Sequence, residues 1–123
     1  MDATSVARQL ALGRLVLGAG LTAAPGLVTR MWLGSDSSGP SAKVIGRGLG
    51  ARDVAIGAGL WRALDEGANL RPWLLAGVAG DLADGLGTLA AGRSAPLLGR
   101  VGIPALALGA AGLGVWAARQ VAP

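Results

Sequence analysis

The sequence predicts an all-α protein, a four-helix transmembrane bundle whose successive helices run up and down, antiparallel to one another. Of its 123 residues, 52% are hydrophobic and 22 are glycine, while only 15% are charged. Soluble domains carry about a quarter charged residues, so a water-facing surface of this composition would leave long apolar faces exposed. Four apolar stretches also approach about 20 residues, the length that a helix needs to cross roughly 30 Å of hydrocarbon.

The predicted spans follow one another with short polar connections. They cover residues 9–31, 43–61, 72–91 and 101–118. Pro25 is predicted to kink or end the first span, and Pro72 suits the first turn of the third. The connections cover residues 34–41, 62–71 and 92–99. Loops this short join antiparallel neighbours, so we expect one domain over residues 1–123.

Tryptophan supports these boundaries, because it prefers the membrane–water interface. The four tryptophans all fall within a few residues of a predicted span end: Trp32, Trp61, Trp73 and Trp116. The alternative is that they fill gaps in a glycine-rich bundle. The apolar run that ends at Ala24 also resembles a cleaved signal peptide, but Arg14 lies inside it, so we expect a retained first helix. The basic residues near the span ends are equally numerous on the two sides of the membrane, so the positive-inside rule does not decide which side faces the cytoplasm.

Cysteine and histidine are both absent from the chain, and their absence excludes several functions. Without cysteine or histidine the chain has no thiol nucleophile, imidazole base, haem axial histidine, zinc-binding cluster or disulfide framework. We expect no metal and no cofactor. The net charge of +4 would suit a protein that binds nucleic acid, but the basic residues occur singly along the chain and aromatic residues make up only 3% of it. We therefore expect no nucleic-acid partner.

Charged residues inside the predicted spans are the most informative feature, since each costs about 2.5–3.5 kcal/mol at the centre of a bilayer. Three are basic and three are acidic: Arg14, Arg47, Arg52, Asp53, Asp81 and Asp84. Equal numbers favour pairing in a buried network. With a rise of about 1.5 Å per residue, Arg52 lies level with Asp81 and Arg47 lies level with Asp84. We expect these two pairs.

Helical geometry also predicts the place of two further members of the network. Thr88 extends the polar stripe that the two aspartates form on the third span. Asp53 points about 100° away from Arg52 around the helix, so we expect Asp53 to face the first span and Arg14.

Three functions are open for this network. A structural network would fix the register of helices that have little hydrophobic drive to associate. A proton or ion pathway would use aspartates that face a hydrated cavity. An enzyme acting on a lipophilic substrate would use one aspartate as general acid beside a second carboxylate. The candidate catalytic residues are Asp53, Asp81 and Asp84, and the candidate binding residues are Arg14, Arg47, Arg52 and Thr88.

The glycines indicate close helix packing rather than phosphate binding. The stretch from Gly46 to Gly50 (GRGLG) has no preceding strand and lacks the lysine of a phosphate-binding loop. Its two end glycines instead have the small-xxx-small spacing at which transmembrane helices approach one another. Further pairs are Gly57 with Gly59, Gly77 with Gly80, and Gly109 with Gly112.

Four stretches together carry a family resemblance: residues 15–18 (LVLG), 30–34 (RMWLG), 46–57 (GRGLGARDVAIG) and 80–84 (GDLAD). They resemble small four-pass membrane proteins of actinobacteria, a domain family of unknown function, and more distantly the DoxX-like four-helix membrane proteins. The resemblance covers the chain up to about residue 92. It implies the fold, the membrane and four distinguishing residues, Arg52, Asp53, Asp81 and Asp84, but no reaction.

We therefore expect an integral, multi-pass protein of the bacterial plasma membrane. The leading hypothesis is a non-enzymatic membrane subunit or accessory protein that forms a homo-oligomer or binds another membrane protein through its glycine faces. The alternative is a membrane enzyme or carrier that handles an isoprenoid- or lipid-like substrate with its intramembrane aspartates. The expected partners are the lipid bilayer together with a protein or a lipophilic small molecule.

Overall fold

The computed structural model describes the whole chain, Met1–Pro123, and confirms the all-α class: 89% of the residues are helical and there is no strand. Five α-helices follow one another along the chain. They are α1 (Ala3–Ala23), α2 (Pro25–Leu33), α3 (Pro40–Glu66), α4 (Arg71–Ala91) and α5 (Ile103–Gln120). Short 3-10 turns follow α2 and α4, and a π turn (Leu98–Gly102) leads into α5.

The first predicted span is the one that the structure divides. Helix α1 ends at Ala23, and α2 leaves it at an angle of 108°. Pro25 causes the break, because it has no N–H to continue the hydrogen-bond ladder and disfavours helical geometry in the residue before it. Ala24 accordingly adopts the non-helical angles φ −133° and ψ 60°. The predicted kink or end at Pro25 is therefore confirmed, and residues 9–31 are divided between two helices.

The second predicted span is longer than the sequence suggested. Helix α3 begins at Pro40, which suits a helix start because the first N–H groups of a helix have no partner within it. It ends at Glu66 and is followed by Gly67, whose φ of 63° is readily adopted only by glycine. At about 1.5 Å per residue, its 27 residues extend roughly 40 Å. The third and fourth predicted spans agree with α4 and α5 to within two residues at each end.

The helices pack as two close antiparallel pairs, α1 with α3 and α4 with α5, and α1 also contacts α5. At the end of the bundle that holds both chain termini, the four long helices share an apolar core. Its buried members are Val6, Ala7, Ala11, Leu60, Leu74, Ala117 and Ala118. At the opposite end, α2 lies against the start of α3 and against the π turn.

Helices α4 and α5, each with its flanking turn, are long and apolar enough to cross a membrane. The bent pair of α1 and α2 makes a third candidate if the two count as one broken span. Helix α3 is long enough but carries too many charges, because even its most apolar stretch includes Arg47, Arg52 and Asp53. The structure thus has two to three helices of membrane-spanning character, fewer than the four predicted.

Candidate functional site

Five charged side chains meet between α1, α3 and α4, and we call them the charged cluster. Its members are Arg14 on α1, Arg52 and Asp53 on α3, and Asp81 and Asp84 on α4. Three of these residues are buried, with Asp53 only 2% exposed. The sequence therefore identified all five members, although it did not predict how most of them pair.

The cluster is a continuous chain of ion pairs. Arg14 bridges α3 and α4: its Nη1 lies 3.4 Å from Oδ1 of Asp53, and its Nη2 lies 2.5 Å from Oδ2 of Asp81. Arg52 donates from both terminal nitrogens to Asp84, at 3.2 and 2.6 Å, and its Nη2 also lies 3.2 Å from Oδ1 of Asp53. Asp53 is therefore the central carboxylate, shared by both guanidinium groups.

Two glycines of α4 lie against the arginines, and one of them provides space that its arginine needs. A Cβ on Gly77 would lie 2.7 Å from Nη2 of Arg14, which is too close, whereas a Cβ on Gly80 would make an ordinary contact of 3.4 Å with Cζ of Arg52. In a helix each side chain leans toward the N-terminus, over the residue four positions before it. Asp81 and Asp84 stand four residues after these glycines, so each guanidinium rests on a glycine and meets the carboxylate that leans over it. The overlapping Gly-x-x-x-Asp pattern is a sequence signal that helix-packing arguments alone missed.

The close approach of α1 to α3 brings Arg14 within reach of Asp53. A Cβ on Gly18 would lie 2.7 Å from the carbonyl oxygen of Gly50 and 2.8 Å from the amide nitrogen of Val54. Since neither group is a movable side chain, only glycine fits at this crossing. Gly50, predicted to lie on a packing face, is thus part of the scaffold of the cluster.

A hydrogen-bonded extension connects the cluster to α2. The Thr88 hydroxyl donates to the backbone oxygen of Asp84 at 2.6 Å, and the indole N–H of Trp32 donates to the same hydroxyl at 3.0 Å. Thr88 therefore lies on the polar stripe, as expected. The sequence placed Trp32 near a membrane interface, but it did not indicate this internal contact.

The predicted pairs of Arg52 with Asp81 and of Arg47 with Asp84 are wrong. Arg52 leans toward the N-terminus of α3, and in an antiparallel pair this direction leads to the C-terminal half of α4 and to Asp84. Asp81 is then available to Arg14, as the contact distances show. The predicted contact between Asp53 and Arg14 is present.

Arg47 does not belong to the charged cluster. It is exposed on α3 and makes no ion pair. The cluster therefore contains three carboxylates and two guanidinium groups, instead of the predicted three of each. Its carboxylates do not form a group that could hold a metal ion.

The space beside the cluster is small. A cavity of about 10 Å³ borders Arg14 and Asp81, with Leu10, Leu74 and Val78 among its other lining residues. This is about the size of one water molecule, whereas pockets for organic ligands usually measure about 300–1,000 Å³. A larger depression of about 500 Å³ lies among the helix ends near the two termini, and its lining contains no charged side chain.

Comparison of the chain with protein-family models, with curated proteins and with solved structures found no match. The resemblance to the actinobacterial four-pass family therefore stays a prediction, and the geometry of the charged cluster carries the functional argument.

Proposed function

We propose that this chain is a four-pass protein of the bacterial plasma membrane and serves as a non-enzymatic subunit or accessory protein. In this proposal the charged cluster is structural and holds the helices in register. The observation that carries it is that every charged group of the cluster contacts an oppositely charged group of the same chain, beside a cavity no larger than a water molecule.

The proposal of four spans depends on α3, whose charges are arranged in a way that suits a bilayer. Arg52 and Asp53 are turned into the cluster. The outward residues between Arg47 and Arg62 are small and uncharged: Gly48, Ala51, Ala55 and Ala58. Those two arginines are about 22 Å apart along the helix, and long basic side chains near span ends can extend to the interface.

Exposed apolar side chains support a lipid environment for the other long helices. On these helices, large hydrophobic residues at least 40% exposed are Leu12, Val16 and Leu17 of α1, Leu75, Leu82, Leu86 and Leu89 of α4, and Leu106 and Leu113 of α5. Monomeric soluble proteins rarely expose large contiguous apolar patches. A surrounding bilayer would cover these side chains.

The same geometry favours a structural cluster over a catalytic one. Helices in lipid gain little from the hydrophobic effect when they associate, so close packing and polar contacts set their arrangement. A buried ion pair can define register even where its net contribution to stability is small. Arg14 joins three helices in this way, and Arg52 reinforces the contact between α3 and α4.

A face of α5 supports the proposed protein partner. Along the exposed side of this helix lie, in order, Ala105, Gly109, Gly112 and Trp116. A Cβ on either glycine would meet no atom within 4 Å. Such a face lets a second helix approach closely, which fits a homo-oligomer or a contact with another membrane protein.

The alternative function is a membrane enzyme or carrier for a lipophilic substrate. One observation favours it: the Asp81 carboxylate has a single guanidinium partner and borders the small cavity, which is lined mainly by apolar residues. In this alternative Asp81 would exchange a proton with a substrate that enters between α1, α4 and α5, with Asp53 and Asp84 as supporting carboxylates.

Native mass spectrometry of the tagged protein, extracted mildly from its own membrane, tests the proposal. We expect a second copy or a stoichiometric protein partner, lost in Gly112→Leu and kept in Gly87→Leu, a matched change at an open glycine of α4. The alternative is supported instead if the protein is monomeric and retains a lipophilic molecule that Asp81→Asn releases while the fold stays intact.

A further inference from the structure

The two ends of the molecule differ in their balance of charge. At the end with the termini, four arginines stand beside three acidic side chains, Asp2, Asp65 and Glu66. Arg8 pairs with Asp65 and Arg62 pairs with Glu66, whereas Arg71 and Arg119 make no ion pair. The opposite end is the α2 end, and we define its basic set as five residues. They are Arg30, Lys43, Arg47, Arg93 and Arg100. None of them makes an ion pair, and Asp36 is the only acidic residue in the segments that carry them, residues 25–51 and 85–102.

Contacts between elements place three members of the basic set beside α2, which itself carries Arg30, while Arg93 follows the end of α4. A Cβ on Gly26 of α2 would lie 3.0 Å from Cε of Lys43, so the lysine stem passes over α2. Gly46, the residue before Arg47, packs on Pro25 of α2. The π turn that carries Arg100 also contacts α2.

Exposed apolar side chains occur beside these charges. Leu27 and Met31 on the outer face of α2 are 52% and 54% exposed, and they stand one helical turn apart. Val44, Ile45, Leu97 and Leu98 are exposed at the same end. Because α2 makes an angle of 108° with α1, it lies near the membrane plane when α1 crosses the bilayer.

We propose that the α2 end binds the head groups of anionic phospholipids. This inference rests on the membrane arrangement proposed above. Unpaired basic side chains attract the lipid phosphates, while Leu27 and Met31 enter the boundary between head groups and acyl chains, as in other interfacial amphipathic helices. The paired arginines at the end with the termini have nearby carboxylates that compete with lipid phosphates, so that end should show a weaker preference.

The test compares two triple variants that change the net charge equally. The first variant removes three exposed charges from the α2 end by combining Arg30→Gln, Arg47→Gln and Arg93→Gln. The matched control combines Arg8→Gln, Arg62→Gln and Arg71→Gln at the other end, where the three residues are also exposed. Each variant is reconstituted in vesicles of phosphatidylcholine with one fifth phosphatidylglycerol, and native mass spectrometry measures which lipid stays bound.

We expect the wild type and the control to retain phosphatidylglycerol preferentially, and the α2-end variant to lose that preference roughly tenfold or more, since one basic residue at an anionic surface contributes about fivefold in affinity. Retention should also weaken with added salt. Equal lipid preference in all three proteins, or an equal loss in both variants, overturns the inference.

A second measurement separates this inference from the proposed function. Vesicles of phosphatidylcholine alone are extracted at alkaline pH, which removes proteins that do not cross the bilayer. Wild type that resists extraction but shows no preference for anionic lipid contradicts only the head-group inference. Wild type that is extracted contradicts the four-pass arrangement itself.

Discussion

Helix α3 is held to its two neighbours in different ways. Against α1 it makes a backbone contact, in which Gly18 and Gly50 leave no room for a Cβ on either helix. Toward α4 it extends the side chain of Arg52, which ends on a carboxylate. A glycine contact depends on shape and short distance, whereas an ion pair tolerates a wider gap but demands the correct partner. Together they fix both the spacing and the register of helices without a large apolar core.

The largest effect is expected from breaking the ionic contact at Arg14. Arg14→Leu leaves Asp81 without its guanidinium partner and Asp53 with only one, which should cost about 3–5 kcal/mol in the free energy of unfolding. Denaturant titration in mixed micelles measures it. The double variant Arg14→Leu with Asp81→Leu should recover much of the loss, because one charge of each sign is then removed. A well-tolerated single variant would contradict the structural role of the cluster.

The second largest effect on the free energy of unfolding is expected at the glycine contact between α1 and α3. Gly50→Ala places a Cβ 2.7 Å from the carbonyl oxygen of Gly18, so α1 and α3 must separate, at a cost of about 1–3 kcal/mol. Gly48→Ala is the matched control, because a Cβ there meets nothing within 4 Å and alanine favours the helix. Equal unfolding free energies for the two variants would rule out the close contact between these helices.

A smaller loss is expected where a glycine supports the ionic contact. Gly77→Ala pushes its Cβ against the Arg14 guanidinium and weakens the bond to Asp81, worth about 1.5 kcal/mol, while helix propensity returns up to about 1 kcal/mol. The net change in unfolding free energy should be a slight destabilisation. Gly87→Ala on the same helix has open space around it and should stabilise. Stabilisation by both alanines would mean that Arg14 does not need this space.

The link from the cluster to α2 is a single neutral hydrogen bond. Trp32→Phe removes the donor to Thr88 and should cost about 0.5–1.5 kcal/mol. Amide hydrogen exchange across α2 is the suitable measurement, since local opening of this helix should increase while exchange in α1 stays unchanged. Uniform exchange changes across the whole chain would indicate a general packing defect instead.

The smallest effect concerns the exposed start of α1. Asp2 accepts hydrogen bonds from the backbone N–H and the hydroxyl of Ser5, and these bonds lower the pKa of the carboxyl below its ordinary value of 3.8. A lowered pKa means that this cap stabilises α1 above pH 3.8 and that its contribution disappears as the pH falls through the lowered value. A pH titration of the Ser5 amide resonance should follow this loss, and Asp2→Asn should abolish it.

The sequence predicted the helical class and the members of the charged cluster more successfully than their arrangement. Apolar composition and length were enough for α4, whose bounds differ from the predicted span by one residue. Pro25 indicated a break or kink, but the 108° angle depends on how α2 packs against α3 and the π turn. The angle could not be obtained from a one-dimensional pattern.

The pairing within the cluster was harder to predict, for a physical reason. Helical rise gives the depth of a residue, but not the direction in which its side chain leans or which third helix competes for it. Matching α3 with α4 by depth alone assigned Asp81 to Arg52 and overlooked Arg14, which reaches Asp81 from α1. The expectation for Arg47 failed similarly, because depth does not say that a residue faces outward.

The order of charges along the chain has a consequence for biogenesis. Helices α1 and α3 bring two guanidinium groups and one carboxylate to the cluster, and both remaining carboxylates follow on α4. Asp81 emerges from the ribosome some 28 residues after Asp53, a delay of a few seconds at about 5–20 residues per second. In the four-pass arrangement proposed above, α3 carries charges during that interval that disfavour its release into lipid. We expect the insertion machinery to hold α3 until α4 arrives, so that the two helices enter the bilayer as a pair.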